Sequence, residues 1–450
     1  MGELDALLVG AVGVGDAEAV RGLVEAGADP DAVGGDGLPV LCAAVTAFAV
    51  ETVRALVEGG ARPDRVPADG TTPLLRAVEG GSPAVWEACL GERARERLPE
   101  GERVRLLEVA RRWYEVGAEA ELRRVTGAEG PARIEVVAEG EVAEGEFDRV
   151  EEITLGGRTV RGGHGAVLTR LEWDFRILAP VEELMGRATK YEYEDHVDRS
   201  AVEWILLVRK SAETWLQVVE HHRHPSPAHR AFVADFLRMG DLMAGAVAHP
   251  RWYERQRLAL LPGWADVEPD GGVLGLVLDL LCAEEHPQAR AFGLRYAGHP
   301  DPRVRRRVPP LFLRPLDHET AQVVQDLGRD VDAGVRAAAA EALAWEPLRQ
   351  AEREALFALL RDEDPQVRER AVYAAGHGCD RSPAIAEALM ELLDVGDQDA
   401  RLAVAYALSL RDDPRTREAY ARVGPLGPEL VGDHRADGLW RWELRNEPNG

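Results

Sequence analysis

Apolar side chains recur with helical spacing along residues 301–411, and each apolar run starts shortly after an acidic residue. In three runs the apolar residues occupy relative positions 0, 4, 7 and 8, which form one face of an α-helix. A helix that returns at a nearly constant interval predicts a stacked array of repeats rather than a single globular core. The runs are Val335, Ala339, Ala342 and Leu343; Val367, Ala371, Ala374 and Ala375; and Ala400, Val404, Ala407 and Leu408.

An Asp precedes each predicted helix, and an Arg follows that Asp four residues later. Asp364 stands where an N-cap belongs, because its side chain can accept the free N–H groups of the first turn. Pro365 follows at the first helical position, where a missing N–H costs nothing. Partner helices are predicted at 347–362 and 383–395, so each repeat is a pair of antiparallel helices. The four Asp/Arg pairs are Asp301/Arg305, Asp332/Arg336, Asp364/Arg368 and Asp397/Arg401.

The D-P-x-V-R-x-x-A-x-x-A pattern of these helices resembles HEAT repeats of the short bacterial type, which also occur in phycobilisome-lyase proteins. In that family the Asp and the Arg form a ladder between neighbouring repeats. The resemblance implies this role for all four Asp/Arg pairs. Removal of one arginine, as in Arg368→Ala, is therefore expected to destabilise the array by about 1–3 kcal/mol.

The HEAT array is predicted to cover residues 201–450. Its early helices, at 225–240 and 286–298, are divergent but keep a polar residue four positions before an Arg. The Pro309-Pro310 pair is expected to break or kink one helix. The C-terminal segment with Trp440 and Trp442 is expected to cover the last repeat as a cap.

A second type of repeat is present in residues 1–125. The sequence of residues 27–31 returns at 60–64, and that of residues 36–41 returns at 69–75, both 33 residues later. The D-G-x-T-P-L opening and the L-x-x-G-A-D-P ending resemble the ankyrin repeat. The resemblance implies helix pairs connected by tight Asp-Gly turns. The last unit of this region, with a predicted helix at 103–119, is divergent.

Residues 126–200 are predicted to form a connector. The segments 133–137, 150–155 and 158–163 indicate a β-hairpin with an acidic, flexible tip. Two helices are predicted after it, at 164–175 and 180–191. The fold class is therefore mostly α, with two α-solenoid arrays, ankyrin and then HEAT, joined by a small connector that contains a β-hairpin.

Charge and composition limit the partners and the compartment. The 450-residue chain has a net charge of −25, so its mean surface repels phosphate backbones and nucleic acid is disfavoured as a partner. The only dense basic segment is 303–308. The N-terminus lacks a basic signal region, and no apolar run is long enough to span a membrane. The four cysteines are far apart in apolar contexts, which indicates core residues in a reducing cytosol.

Side chains with catalytic or metal-binding potential form no known motif. The densest cluster is His221, His222 and His224, but no H-E-x-x-H or Cys/His framework surrounds it. We interpret it as a solvated helix end. Neither a G-x-S-x-G motif nor a catalytic Cys/His context is present. We therefore expect no enzymatic activity, no cofactor and no metal.

Equivalent positions of stacked repeats form a stripe, and this stripe is the candidate partner-binding surface. Aromatic side chains there are suited to anchor a partner, and Glu341 favours a basic partner segment. The alternative is that these rings fill the groove between repeats. The predicted stripe consists of Glu341, Trp345, Tyr373, His377 and Tyr406.

These observations predict a cytoplasmic, monomeric interaction scaffold that binds proteins through the concave faces of its repeats. Two alternatives stay open. HEAT arrays also occur in DNA-alkylation-repair glycosylases, which need a basic groove. The other alternative is a lyase-like or chaperone-like protein of the phycobilisome-lyase type, which would act on a tetrapyrrole-bearing protein.

Overall fold

The computed structural model describes residues 2–90, 98–139, 148–191, 193, 195–242, 250–312, 314–344, 348–394, 396–430 and 432–446. These residues are mostly helical, as the sequence predicts. They form two compact units, Met1–Phe236 and Leu237–Gly450. The predicted divisions at 125 and 200 concern the repeat type and stay predictions. None of the helices in the described ranges combines the length and the apolar composition that a membrane crossing needs.

Helices of the first unit pack in consecutive pairs, α1 on α2, α3 on α4 and α5 on α6, and neighbouring pairs stack. α5 begins at Thr72-Pro73, where the Thr72 hydroxyl accepts the N–H of Leu75 at 3.2 Å. The helices are α1 Glu3–Val14, α2 Ala17–Glu25, α3 Val40–Thr46, α4 Val50–Glu58, α5 Pro73–Gly80, α6 Pro83–Cys89, α7 Glu100–Val116, α8 Ala118–Thr126, α9 His164–Asp174, α10 Val181–Ala188, α11 Val197–Val208, α12 Ala212–Glu220 and α13 Pro227–Leu242, which crosses into the second unit.

A three-stranded antiparallel sheet follows α8 and precedes α9 in the chain, and its strands correspond to the three segments from which a β-hairpin is predicted. Its strands are β1 Arg133–Ala138, β2 Arg149–Leu155 and β3 Arg158–Arg161, in the order β1-β2-β3. The hairpin joins β2 to β3 through Gly156 and Gly157, whose φ angles of 59° and 76° suit a two-residue turn. The third strand forms because β1 pairs along its whole length with β2. The predicted acidic tip, 140–147, lies outside the described residues.

The sheet belongs to the core of the first unit. Ile153, Leu155 and Val160 are buried in the same apolar cluster as the helices. The buried carboxylate of Glu139, which follows β1, accepts hydrogen bonds from the Ser82 hydroxyl at the start of α6 and from Arg161 of β3. Sheet and helix pairs are therefore one packed body, not a finger that projects from it.

His164 is a buried neutral base in this body. Its ring stacks on Trp113 with centroids 4.9 Å apart, and its Nε2 lies 3.1 Å from the carbonyl oxygen of Glu79. Burial lowers the pKa of His164 to about 4, because the charged form would lose its hydration. Gly81 approaches so closely that a Cβ there would lie 2.4 Å from the His164 ring, and its φ of 70° also favours glycine.

Asp198 is a buried acid at the start of α11. Its Oδ1 accepts the N–H of Ala166 at 2.6 Å, while its Oδ2 has no hydrogen-bond partner among the described residues. Gly165 allows this contact, since a Cβ at that position would lie 2.2 Å from Oδ2. Burial raises the pKa of Asp198 to about 6. Burial thus shifts the pKa values of His164 and Asp198 in opposite directions.

The second unit is built from two layers of helices. In one layer α19, α21, α23 and α25 pack side by side, and in the other α18, α20 and α22 do so. As predicted, the Pro309-Pro310 pair interrupts a helix: α17 ends at Arg305 and a short 3-10 turn follows at Pro309–Leu311. The helices are α14 Pro250–Val267, α15 Gly271–Ala283, α16 Ala289–Tyr296, α17 Pro302–Arg305, α18 His318–Leu327, α19 Ala333–Ala342, α20 Gln350–Leu360, α21 Pro365–His377, α22 Pro383–Leu392, α23 Gln398–Leu410, α24 Thr416–Val423 and α25 His434–Arg445.

The Asp of each Asp/Arg pair caps its own helix. Asp364 accepts the N–H groups of Gln366 and Val367, at 2.8 and 3.4 Å, and the other three Asp residues cap in the same way. This confirms the predicted N-caps. The Asp of a pair therefore does not bind the Arg of the same pair, because the Asp oxygens already accept N–H groups of the first helical turn.

Two of the four arginines form the ladder with a different Asp. Arg305 donates from Nε and Nη2 to both carboxylate oxygens of Asp330, each at 2.7 Å, while its Nη1 donates to the carbonyls of His299 and Pro300. Arg336 holds Asp362 in the same way, at 2.7 and 2.8 Å. We call such a two-pronged Arg–Asp contact a rung.

Each rung connects consecutive repeats, and its Asp lies two residues before the next cap. The Asp362 carboxylate also accepts the N–H of Asp364, so one side chain serves both the rung and the turn before α21. Both side chains of the Arg336–Asp362 rung are nearly buried, at 12% and 11% exposure. Removal of one member of such a buried bidentate pair is expected to lower the stability of the fold strongly.

Candidate interaction surface

The helices that carry the predicted stripe pack closely because small residues lie between them. A Cβ on Gly376 of α21 would lie 2.8 Å from Ala407 of α23, so only glycine permits this spacing. Buried alanines, among them Ala339, Ala371 and Ala375, line the same layer. The packing leaves only a narrow face of each helix open to solvent.

Tyr373 is the open aromatic residue of this face. Its residue surface is 43% exposed, and its ring stacks on that of His377 with centroids 4.0 Å apart and planes 26° apart. The Nδ1 of His377 lies 3.1 Å from the carbonyl oxygen of Tyr373. The structure therefore brings two of the predicted stripe residues together as one ordered pair on α21.

Glu341 lies one helix away and already has a partner. Its carboxylate is 3.1 Å from the guanidinium of Arg370, and both side chains are about half exposed. Arg370 precedes Tyr373 by one helical turn, so the pair borders the Tyr373–His377 stack. The sequence pattern missed Arg370, because its position matches no apolar repeat, although its spacing from Tyr373 could have indicated it.

Tyr406 is the stripe residue whose surroundings differ most from the prediction. A Cβ on Gly438 of α25 would lie 2.4 Å from its ring, and the ring meets His434 edge-on at 5.8 Å. The C-terminal helix therefore covers part of Tyr406, which leaves less of its ring for a partner. Trp345, the remaining stripe residue, lies outside the described residues.

A cleft of 660 Å³ opens between α21 and α23, and Tyr373 is not part of its lining. Its lining is mixed, with Val372, Ala403 and Val404 beside charged side chains. Arg368 lies in this cleft, where the third rung is expected. Its Nη1 donates to the carbonyls of Asp362 and Glu363, at 2.8 and 2.9 Å, as the Nη1 atoms of the rung arginines do in their own repeats.

The predicted ladder role of Arg368 is wrong in this structure. Among the described residues no carboxylate pairs with Arg368, and its contacts stay within its own repeat. The counterpart of Asp330 and Asp362 is Asp394, which instead pairs with Arg422. The physical reason is the spacing before the cap. The other two rung Asp residues lie two residues before their caps, whereas Asp394 lies three residues before the cap Asp397.

Arg401 forms no rung either. Its Nη1 donates to the carbonyl of Gly396 at 2.8 Å, and its Nε is buried without a hydrogen-bond partner among the described residues. The ladder thus runs through two of the four predicted positions. At Arg368 an open cleft accompanies the missing rung.

His221 and His224 of the predicted histidine cluster lie in one group of rings with His229. The rings of His224 and His229 stack at 3.9 Å, with His221 within 6 Å of both. Neighbouring histidines and burial lower the pKa of His229, with burial the larger cause. In the part of the chain that the structure describes, no group of three or more His, Cys, Asp or Glu is arranged to hold a metal ion.

Comparisons with known proteins agree with the C-terminal repeats. Residues 353–420, which include α21 and α23, match the family model for HEAT repeats. No curated protein matches the chain. Among solved structures, the chain is similar to the Escherichia coli protein YibA, with 15% identity and a TM-score of 0.39 over 59% of this chain and 98% of that one. The match to the family model confirms the HEAT-repeat prediction for residues 353–420.

Proposed function

We propose that this chain is a cytoplasmic, non-enzymatic scaffold that binds partner proteins through α21 of its HEAT-repeat region. The observation that carries the proposal is the exposed Tyr373 ring, held in place by its stack on His377. Interface energy concentrates in a few aromatic and arginine side chains, and a ring that is already ordered loses little entropy on binding.

The charges beside this ring suit a partner segment with a basic residue. Glu341 pairs with Arg370 on the surface, and an exposed ion pair of this kind contributes only about 0–1 kcal/mol. A basic side chain of the partner can therefore take the place of Arg370 at low cost. Glu341 then supports the specificity of the contact rather than its strength.

Pairing within the basic segment supports a protein partner over a nucleic acid. Three arginines of 303–308 already contact carboxylates: Arg303 with Asp301, Arg305 with Asp330, and Arg307 with Asp279, all within 3.0 Å. These guanidinium groups are neutralised inside the chain. A phosphate backbone would have to displace the carboxylates to bind them.

We assign residues 1–125 to the ankyrin type as a second interaction surface of the scaffold. The support is that the sequence repeat is also a backbone repeat. Gly37 and Gly70, 33 residues apart, have φ angles of 81° and 78°, and the helix pairs that flank them stack. Regular stacking of this kind gives an extended surface to which each repeat contributes.

Substitution of Tyr373 tests the proposal. In Tyr373→Ala, we expect partner binding to weaken by about 2 kcal/mol, or roughly thirtyfold in Kd, as for an interface anchor. The fold should be retained because the ring lies outside the core. The measurement is quantitative mass spectrometry of proteins captured by the variant and by the parent, with thermal melting of both.

Trp440→Ala is the matched control, since Trp440 is another exposed aromatic of this unit and lies on α25. It should keep the captured proteins that Tyr373→Ala loses. Equal capture by Tyr373→Ala and the parent would contradict the proposal. So would a large fall in its melting temperature, which would make Tyr373 a packing residue.

A further inference from the structure

We infer that Arg368 is a binding site for a carboxylate carried by an acidic segment of a partner protein. The two rungs of the chain show which ligand this site accepts. At Arg305 and Arg336, the Nε and Nη2 atoms hold an Asp carboxylate, while Nη1 is fixed by two backbone carbonyls. Arg368 has the same two carbonyl contacts, so its Nε–Nη2 edge is oriented for the same ligand.

One additional residue explains why this position lacks its internal Asp. Asp330-Val331-Asp332 places the rung Asp two residues before the cap, whereas Asp394-Val395-Gly396-Asp397 places it three before. Asp394 consequently pairs with Arg422. The result is an arginine that is oriented for a carboxylate and a cleft of 660 Å³ in front of it.

The acidic side chains of the cleft are mostly engaged. Asp362 belongs to the Arg336 rung, Asp399 lies 2.5 Å from Arg435, and Asp397 caps α23. Glu369 is the remaining acid of the lining, and none of the described residues pairs with it. Arg368 and Glu369 therefore face a ligand together, which favours a singly charged carboxylate over a doubly charged phosphate.

The apolar part of the lining favours a peptide as the bearer of the carboxylate. Val372, Ala403 and Val404 offer a surface for an aliphatic side chain next to the charged group. The internal rungs present their Asp on a short non-helical segment between two helices, which a partner segment can imitate. This inference rests on the proposed function for the source of the ligand, but it can be tested without knowledge of the partner.

The probe is a fluorescently labelled peptide with this chain's residues 327–332, LGRDVD, whose first Asp occupies the Arg305 site in the fold. Binding to the full chain is measured by anisotropy at 0.15 M ionic strength, where charges farther than about 8 Å away are screened. We expect saturable binding to the parent and at least tenfold weaker binding to Arg368→Ala. Arg368→Lys should also bind several times more weakly, because an ammonium group cannot form the bidentate contact.

Three controls define the ligand. A peptide with Asn at the first Asp should bind at least tenfold more weakly. Glu369→Gln should bind the original peptide as tightly as the parent or more tightly. Displacement by inorganic phosphate should need a higher concentration than displacement by acetate. Preferential displacement by phosphate would overturn the inference, and so would displacement by acetate at concentrations below the Kd of the peptide, which would indicate a free small acid.

Deletion of Gly396 provides a test by gain of contact. It leaves Asp394-Val395-Asp397, the same D-V-D sequence as at 330–332. We expect the restored Asp to occupy Arg368, to abolish peptide binding and to raise the melting temperature. A folded deletion variant that binds the peptide with unchanged affinity would contradict the inference, as would absence of binding to the parent. Tyr373→Ala should bind the peptide normally, so failure of the two proposals can be told apart.

Discussion

Replacement of Arg336 by Ala is expected to lower the free energy of unfolding of the Leu237–Gly450 unit by about 3 kcal/mol. The variant leaves the Asp362 carboxylate nearly buried without its bidentate partner. Removal of one member of a buried pair costs far more than the pair contributes, because the remaining charge stays desolvated. Urea denaturation of the full chain gives the energy, and hydrogen exchange at the amides of α19 and α21 locates it.

Arg368→Ala is the internal control for this prediction. Arg368 occupies the equivalent position but holds no carboxylate among the described residues, so its loss should cost less than about 1 kcal/mol. This revises the expectation of 1–3 kcal/mol drawn from the repeat pattern. If Arg336→Ala and Arg368→Ala lost the same free energy of unfolding, the stabilisation would come from the hydrogen bonds that each arginine donates to backbone carbonyls from its Nη1.

The Arg336 rung should also be sensitive to acid. Hydrogen bonds from Arg336 lower the pKa of Asp362 below its ordinary value of 3.8. A lowered acid pKa contributes stability above the unfolded value and loses it as the pH falls through the folded value. The energy difference between parent and Arg336→Ala should therefore shrink below pH 4. A difference that stays constant down to pH 2 would contradict the electrostatic account.

The second large effect is expected in the first unit, from Asp198→Asn. Relative to the parent, the stability that this variant gains should be about 2 kcal/mol larger at pH 7 than at pH 4. Folding raises the pKa of Asp198 from 3.8 to about 6, so the stability that this acid provides when protonated is lost as the pH rises through 6. Asn keeps the acceptor for the Ala166 N–H and cannot ionise.

His164 produces the opposite slope over nearly the same range. Its pKa falls from 6.5 to about 4 on folding, so its contribution is present above pH 6.5 and lost as the pH falls to 4. In the parent the two buried groups offset one another, and their combined effect on stability should be small. Urea denaturation of parent and variant at several pH values measures the difference, and a constant offset would contradict the burial of an ionisable Asp198.

The repeat pattern predicted local structure well because local structure depends on nearby residues. Asp364-Pro365 and Thr72-Pro73 begin helices where the capping chemistry places them. Each of these features involves atoms within a few residues of one another, and the chemistry of the side chains is sufficient to specify them.

Contacts between repeats could not be predicted in the same way. The partner of Arg336 is 26 residues away, and the Asp four residues before it was the nearer but wrong choice. The apolar spacing placed Tyr406 on an open face, but the spacing contains no information about α25, which covers it. These features depend on three-dimensional neighbours.

The rungs have a consequence for how the array can change in length. Arg305, Arg336 and Arg368 are 31 and 32 residues apart, and a rung spans 25 or 26 residues. Any tandem duplication of one such period therefore carries the complete set of contacts and adds one further rung. Addition of a single residue between a rung Asp and the following cap removes that rung, as the sequence before α23 illustrates. Insertion of a whole repeat should therefore disturb this unit less than insertion of one amino acid between Asp330 and Asp332.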